Sequence, residues 1–181
     1  MRCCLMLVML LPVALPAQSG QRGRNGGYGQ GGVPGFGVPG APEPVTAPDV
    51  PVLAGLPQAV KVGFTVYVSG MVPLDSAGQL VGSGDLAAQA RQVVHNLASV
   101  MRAARGAPGD VVRVTIYLRD LTPDKVAVVR DAVLDGLDRS APPALTVVGV
   151  SAFTEPGIEV MVDATGQLRS EFPDRTRTKK P

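Results

Sequence analysis

The sequence predicts an α+β domain of order ββαβαββ, a single sheet with two helices packed on one face. Three observations predict it. The stretch 64–69, FTVYVS, alternates apolar and polar residues with a period of two, as a half-buried strand does. The segments 86–104 and 123–139 repeat apolar residues at three- and four-residue steps, as amphipathic helices do. Strands and helices in these numbers make a two-layer domain around one core.

The chain has 181 residues, of which 45% are hydrophobic and only 4% aromatic, with no Trp. That supports one domain with residues to spare, and a core of Val, Leu and Ala. The opening MRCCLMLVMLLPVALPA joins an early Arg, an apolar run and small residues. The run is shorter than the ~20 residues that span a bilayer. It reads as an export signal over residues 1–17, with no transmembrane anchor. Both cysteines, Cys3 and Cys4, lie inside it. The exported chain then has no disulfide, Cys nucleophile or thiolate metal site. His95 is the single histidine, which argues against zinc. It reads as a surface residue of the first helix, and no cofactor is expected.

Residues 18–50 are rich in Gly and Pro and read as a disordered spacer. The domain is expected over 51–167, and a basic disordered tail over 168–181. Residues 25–168 hold nine basic and thirteen acidic residues, net −4, against +2 for the whole chain. Basic ends on an acidic domain do not make a nucleic-acid-binding fold.

Within the domain, Gly63 turns two short strands, with Phe64, Val66 and Val68 on one face. A turn-rich loop follows. Asp85 then caps a helix whose stripe is Leu86, Ala90, Val93, Leu97, Val100 and Ala104, and Gly106 supplies a left-handed stop. In VVRVTIYLRD, Val112, Val114, Ile116 and Leu118 face the core. Thr122 and Pro123 open a second helix, running to about Arg139 with Val126, Val129, Val133 and Leu137 inward. Two strands, 144–153 and 158–166, joined through TEPG, complete the domain. Their apolar residues fall on both faces, so the open sheet face is expected to be an apolar patch covered by self-association.

The stretches YVSG, HNL, GDVVRVTIYLRD, PPALTVVGV and PGIEVMVDATG resemble the RidA/YjgF family of reactive intermediate deaminases, over roughly residues 52–166. The resemblance implies a chorismate-mutase-like homotrimer with ligand clefts between subunits. It also implies hydrolysis of enamines and imines to keto acids and ammonia. Site residues follow position by position. Ser69 and Gly70 are kept. Leu145 stands where the family's Arg grips the substrate carboxylate, beside Thr146. Met161 stands where a Glu positions water, and Asp163 matches the second Glu of that strand. Leu56 matches a cleft Tyr, Met71 a Gln and Arg130 an Asn.

A charged hydrogen bond is worth about 1.5–3 kcal/mol, so losing the Arg weakens carboxylate binding about ten- to a hundredfold. Losing the Glu removes acid–base help of about 10²–10⁴-fold. Asp163 and Arg130 either form a substitute pair or are a structural carboxylate and a surface cation. The expectation is an exported trimer binding a small apolar or weakly polar ligand, without imine deaminase activity. The alternative is a 2-iminobutanoate/2-iminopropanoate-type deaminase, or related hydrolase, of altered range.

Overall fold

The structure is a computed structural model that describes residues 40–53 and 55–169. The expected leader, most of the spacer and nearly all of the basic tail lie outside the described residues. Among the described residues, no helix is long and apolar enough to cross a membrane.

Among the described residues six strands and two α-helices follow in chain order: β1 (Glu43–Val45), β2 (Ala59–Val62), β3 (Thr65–Met71), α1 (Leu86–Ala103), β4 (Val111–Arg119), α2 (Pro123–Gly136), β5 (Ala144–Val150) and β6 (Val160–Gln167). The expected ββαβαββ order is present from β2 to β6. The added strand, β1, falls inside the stretch read as spacer and pairs antiparallel with β2. Val45, Ala47 and Val50 are buried, so this Pro-rich segment has apolar surface to hide. Pro44 lacks an N–H and is tolerated because β1 is an edge strand. At the other end Leu168, assigned to the tail, is buried too.

The sheet order is β1-β2-β3-β6-β4-β5. β5 and β6 are consecutive in sequence but are not neighbours. β6 runs antiparallel to both β3 and β4, whereas β5 lies parallel to β4 at the edge. A parallel pair needs a long crossover, and α2 supplies it.

Both helices lie on one face, as expected. The core joins Val66 and Val68 of β3, Val114, Ile116 and Leu118 of β4, and Val160 and Val162 of β6 to Val93, Leu97, Val100 and Met101 of α1 and Val129 and Val133 of α2. Each such side chain contributes about 1.5–3 kcal/mol relative to exposure.

The Asp85 carboxylate caps α1 by accepting from the Ala88 N–H at 3.0 Å. The end of α1 differs from the expectation. The left-handed residue is Arg105 (φ 66°), not Gly106, and the Gly106 N–H donates to the Met101 carbonyl at 2.9 Å. Residue 106 is Gly for want of room, since a Cβ there would stand 2.5 Å from Leu168 Cδ2. Thr122 caps α2 by accepting from the Lys125 N–H at 3.3 Å. α2 stops at Gly136 rather than Arg139.

In β4, a bulge between Val111 and Arg113 shifts the register against β6. Val111 is therefore buried, and Val112, expected in the core, is exposed.

The open face also departs from expectation. Alternation from the buried residues places Tyr67, Arg113, Thr115, Tyr117, Thr146, Val148, Met161 and Asp163 on it. It is mixed, with a polar centre, rather than an apolar patch.

Candidate functional site

A cleft of ≈ 440 Å³ opens where the segment before β2 passes the end of β3. One wall carries Val50, Pro51, Leu53 and Leu56; the other carries Ser69, Gly70, Met71 and Val72, with Gln58 and Asn96 between them. The rim is apolar, since Leu53 and Leu56 are exposed.

Three polar side chains shape the cleft, the buried Gln58 and Asn96 and the exposed Ser69, and all are engaged with the protein itself. Gln58 Oε1 accepts from the Ala47 N–H at 2.6 Å, and Gln58 Nε2 donates to the Val50 carbonyl at 2.5 Å. This clips the wall in place, where backbone without a ladder partner must find another one. The Ser69 hydroxyl donates to the Gln58 carbonyl at 2.9 Å. Asn96 Nδ2 donates to the Val72 and Leu74 carbonyls at 3.0 and 2.9 Å, while its Oδ1 accepts from Gln92 Nε2 at 2.9 Å. A bulge between Val68 and Met71 lets two residues, Ser69 and Gly70, face one on β6 and turns this end of β3 into the cleft.

Of the residues singled out from the sequence, Leu56, Ser69, Gly70 and Met71 line this cleft. Met161 lies behind it: a Cβ on Gly70 would come within 2.5 Å of Met161 Sδ. The Met161 side chain also packs on Val72, Leu74 and Ile158.

The others stand elsewhere in the protomer. Asp163 is on the open sheet face, accepting from the Tyr117 hydroxyl at 2.8 Å. That bond, with burial and the carboxylate charge, raises the Tyr117 pKa above the usual phenol value. Thr146 pairs in register with Thr115, and Thr115 with Asp163, so Thr146 shares that face. Leu145 pairs with the core residue Val114, which places it on the helix side of the edge strand, 38% exposed. Leu145 and Met161 are thus on opposite sides of one protomer's sheet. Any hollow they share needs two protomers. Arg130 is exposed on α2 and ion-paired with Asp131 at 2.8 Å. The helix layer separates it from Asp163, so no substitute Asp163–Arg130 pair forms within the protomer.

Sequence reasoning missed the wall at 50–53 and the amides Gln58 and Asn96. Asn96 carried a readable signal: it sits seven residues after Gln89, flanking the α1 stripe, and both are buried. Gln89 clamps the loops beyond the cleft. Its Nε2 donates to the Gly82 and Gly157 carbonyls at 3.1 and 2.8 Å, and its Oε1 accepts from the Glu159 N–H at 2.8 Å. His95 is exposed, as expected, with Nε2 3.9 Å from Asp49 Oδ2. No group of three or more His, Cys, Asp or Glu able to hold a metal occurs among the described residues.

Fold and cleft together define a two-layer α+β protein with an apolar recess at the end of a bulged strand. Comparison with known proteins gives its family. Residues 47–167 match the family model described as Endoribonuclease L-PSP. A RutC family protein of Pyrococcus abyssi is 38% identical over 64 residues, 35% of this chain and 50% of that protein. The mouse 2-iminobutanoate/2-iminopropanoate deaminase is 43% identical over 65 residues, 35% of this chain and 47% of that protein. The crystal structure of RidA from an Antarctic Psychrobacter superposes with a TM-score of 0.62 at 30% identity, covering 70% of this chain and 99% of that one. The chain belongs to the RidA/YjgF (endoribonuclease L-PSP) family. It spans about half the length of the first curated relatives it matches.

Proposed function

We propose that the protein is a Rid-type homotrimer that binds a small, uncharged, largely apolar ligand in the cleft and does not hydrolyse 2-imino acids. One observation carries this reading. Every polar side chain that lines the cleft is already bonded within the protein: Gln58 to Ala47 and Val50, Ser69 to Gln58, and Asn96 to Val72 and Leu74. A carboxylate entering it would lose part of its hydration and find no charged partner among the described residues that line it, which disfavours an ion there. The resemblance adds that Leu145 and Met161 replace the substrate-gripping Arg and the water-positioning Glu. Leu cannot imitate a bidentate guanidinium. The family resemblance supports self-association, and the leader-like N-terminus supports export to a periplasm or beyond.

Titration with the neutral fluorophore 1-aminoanthracene tests the binding reading. Saturable binding is expected, unaffected by excess pyruvate and lost on Leu53→Asp, which places a charge on the exposed rim. Absence of binding, or displacement by pyruvate, would overturn it. The names of the deaminase relatives favour a second reading, a 2-imino acid deaminase of altered substrate range. The two differ in whether imine decay is accelerated.

A further inference from the structure

Asp49 is the only ionisable residue between positions 46 and 58, the stretch that forms one wall of the cleft. Ala47, two residues before it, and Val50, one after, pack into the core. Its own carboxylate instead reaches α1. Asp49 Oδ2 accepts from the Ser99 hydroxyl at 2.6 Å. Ser99 is 5% exposed, and its Oγ accepts in turn from Arg102 Nη1 at 3.4 Å. His95 Nε2 lies 3.9 Å from the same Asp49 oxygen, a contact that becomes an ion pair when the imidazole is protonated. This bond fixes the wall to a helix rather than to itself. The wall's other tether, Gln58, carries no charge.

We infer that the Asp49–Ser99 hydrogen bond is an acid-releasable fastener that holds the Val50–Leu53 wall of the cleft against α1. The inference deepens the reading of the cleft as a binding site. Its test uses the unliganded protein, so failure of one is distinguishable from failure of the other.

A hydrogen bond to an ionised carboxylate is roughly twice as strong as a neutral one. Protonating Asp49 therefore halves the bond and removes its attraction for the cations beside it. Those are His95 and Arg102, both on α1. The other residues that hold the segment, Ala47, Val50 and Gln58, do not titrate. The Ser99 hydrogen bond, opposed by partial burial, holds the Asp49 carboxyl below its ordinary pKa. A depressed carboxyl pKa gives stability that is present above the unfolded value and lost as pH falls through the folded one. The wall thus stays fastened through neutral and mildly acidic pH and loosens below the ordinary carboxylate range.

Amide hydrogen exchange on the full chain, read by mass spectrometry, tests this, with β4 as the internal reference. Two amides report directly: Ala47 N–H, bonded to Gln58, and Val50 N–H, bonded to the Ala47 carbonyl at 3.3 Å. At pH 7, Asp49→Ala and Ser99→Ala are each expected to speed exchange of the 47–53 peptide up to about tenfold, with β4 unchanged. The gap between wild type and Asp49→Ala should narrow as pH falls below the ordinary carboxylate range, because protonation weakens a fastener that only the wild type has. Asp49 is half exposed, so its replacement does not threaten the core. Equal rates in wild type and both variants at pH 7, or a gap that stays undiminished down to the pH at which β4 itself loses protection, would overturn the inference.

Discussion

Replacing Gln58 by Leu tests the claim that one amide holds the cleft wall. Leu fills a similar volume, so a cavity contributes little. The change strips the buried Ala47 N–H and Val50 carbonyl of their partners, which now lie at 2.6 and 2.5 Å. The Ala47 carbonyl keeps a second donor, the Val50 N–H at 3.3 Å. Two stranded groups at about 1–3 kcal/mol each predict a loss of about 2–4 kcal/mol, allowing for some relaxation toward solvent. With a urea m-value of about 2 kcal/mol/M, the midpoint should fall by about 1–2 M at unchanged m. Protein concentration must be held fixed, because the proposed self-association would add to apparent stability. A loss below about 0.5 kcal/mol, in the range of ordinary surface substitutions, would refute the reasoning.

Two further outcomes follow from the same geometry. Gly70→Ala brings a Cβ within 2.5 Å of Met161 Sδ, and because that flexible side chain can turn aside, the cost in thermal unfolding should be at most about 1 kcal/mol. Adding Met161→Ala should recover part of that loss, a non-additivity that identifies the contact. Tyr117 is one of three tyrosines, and its pKa is raised chiefly by the hydrogen bond to Asp163. A raised phenol pKa means stability present below the unfolded value, near 10, and lost as pH rises through the folded one. Ultraviolet titration should show one phenol ionising late, and Tyr117→Phe should remove that component together with the associated alkaline loss of stability.

Much of the architecture was legible because its signals are local. Asp85 and the Leu86–Ala104 stripe define α1, Thr122–Pro123 opens α2, and the alternation of Phe64–Ser69 marks β3. What was not legible is set by distant partners. Nothing in 144–166 says that β6 inserts between β3 and β4, because pairing depends on the crossover through α2. The buried role of Val45, Ala47 and Val50 depends on Gln58, eight residues beyond Val50, within a stretch whose Pro content alone reads as unstructured. The bulge that expels Val112 is a register shift, invisible to a period-two count. The cleft was half legible. The kept residues Ser69 and Gly70 and their neighbour Met71 marked one wall, while the other wall has no motif. Leu145 and Met161, paired in the sequence reading, lie on opposite faces of one protomer's sheet.

Generating a 2-imino acid in place with an amino-acid oxidase and following its decay tests the central claim most directly. With Leu145 and Met161 where the resemblance places the family's Arg and Glu, the account predicts decay at the buffer rate whatever the amount of protein added. Decay that quickens in proportion to protein concentration would contradict it.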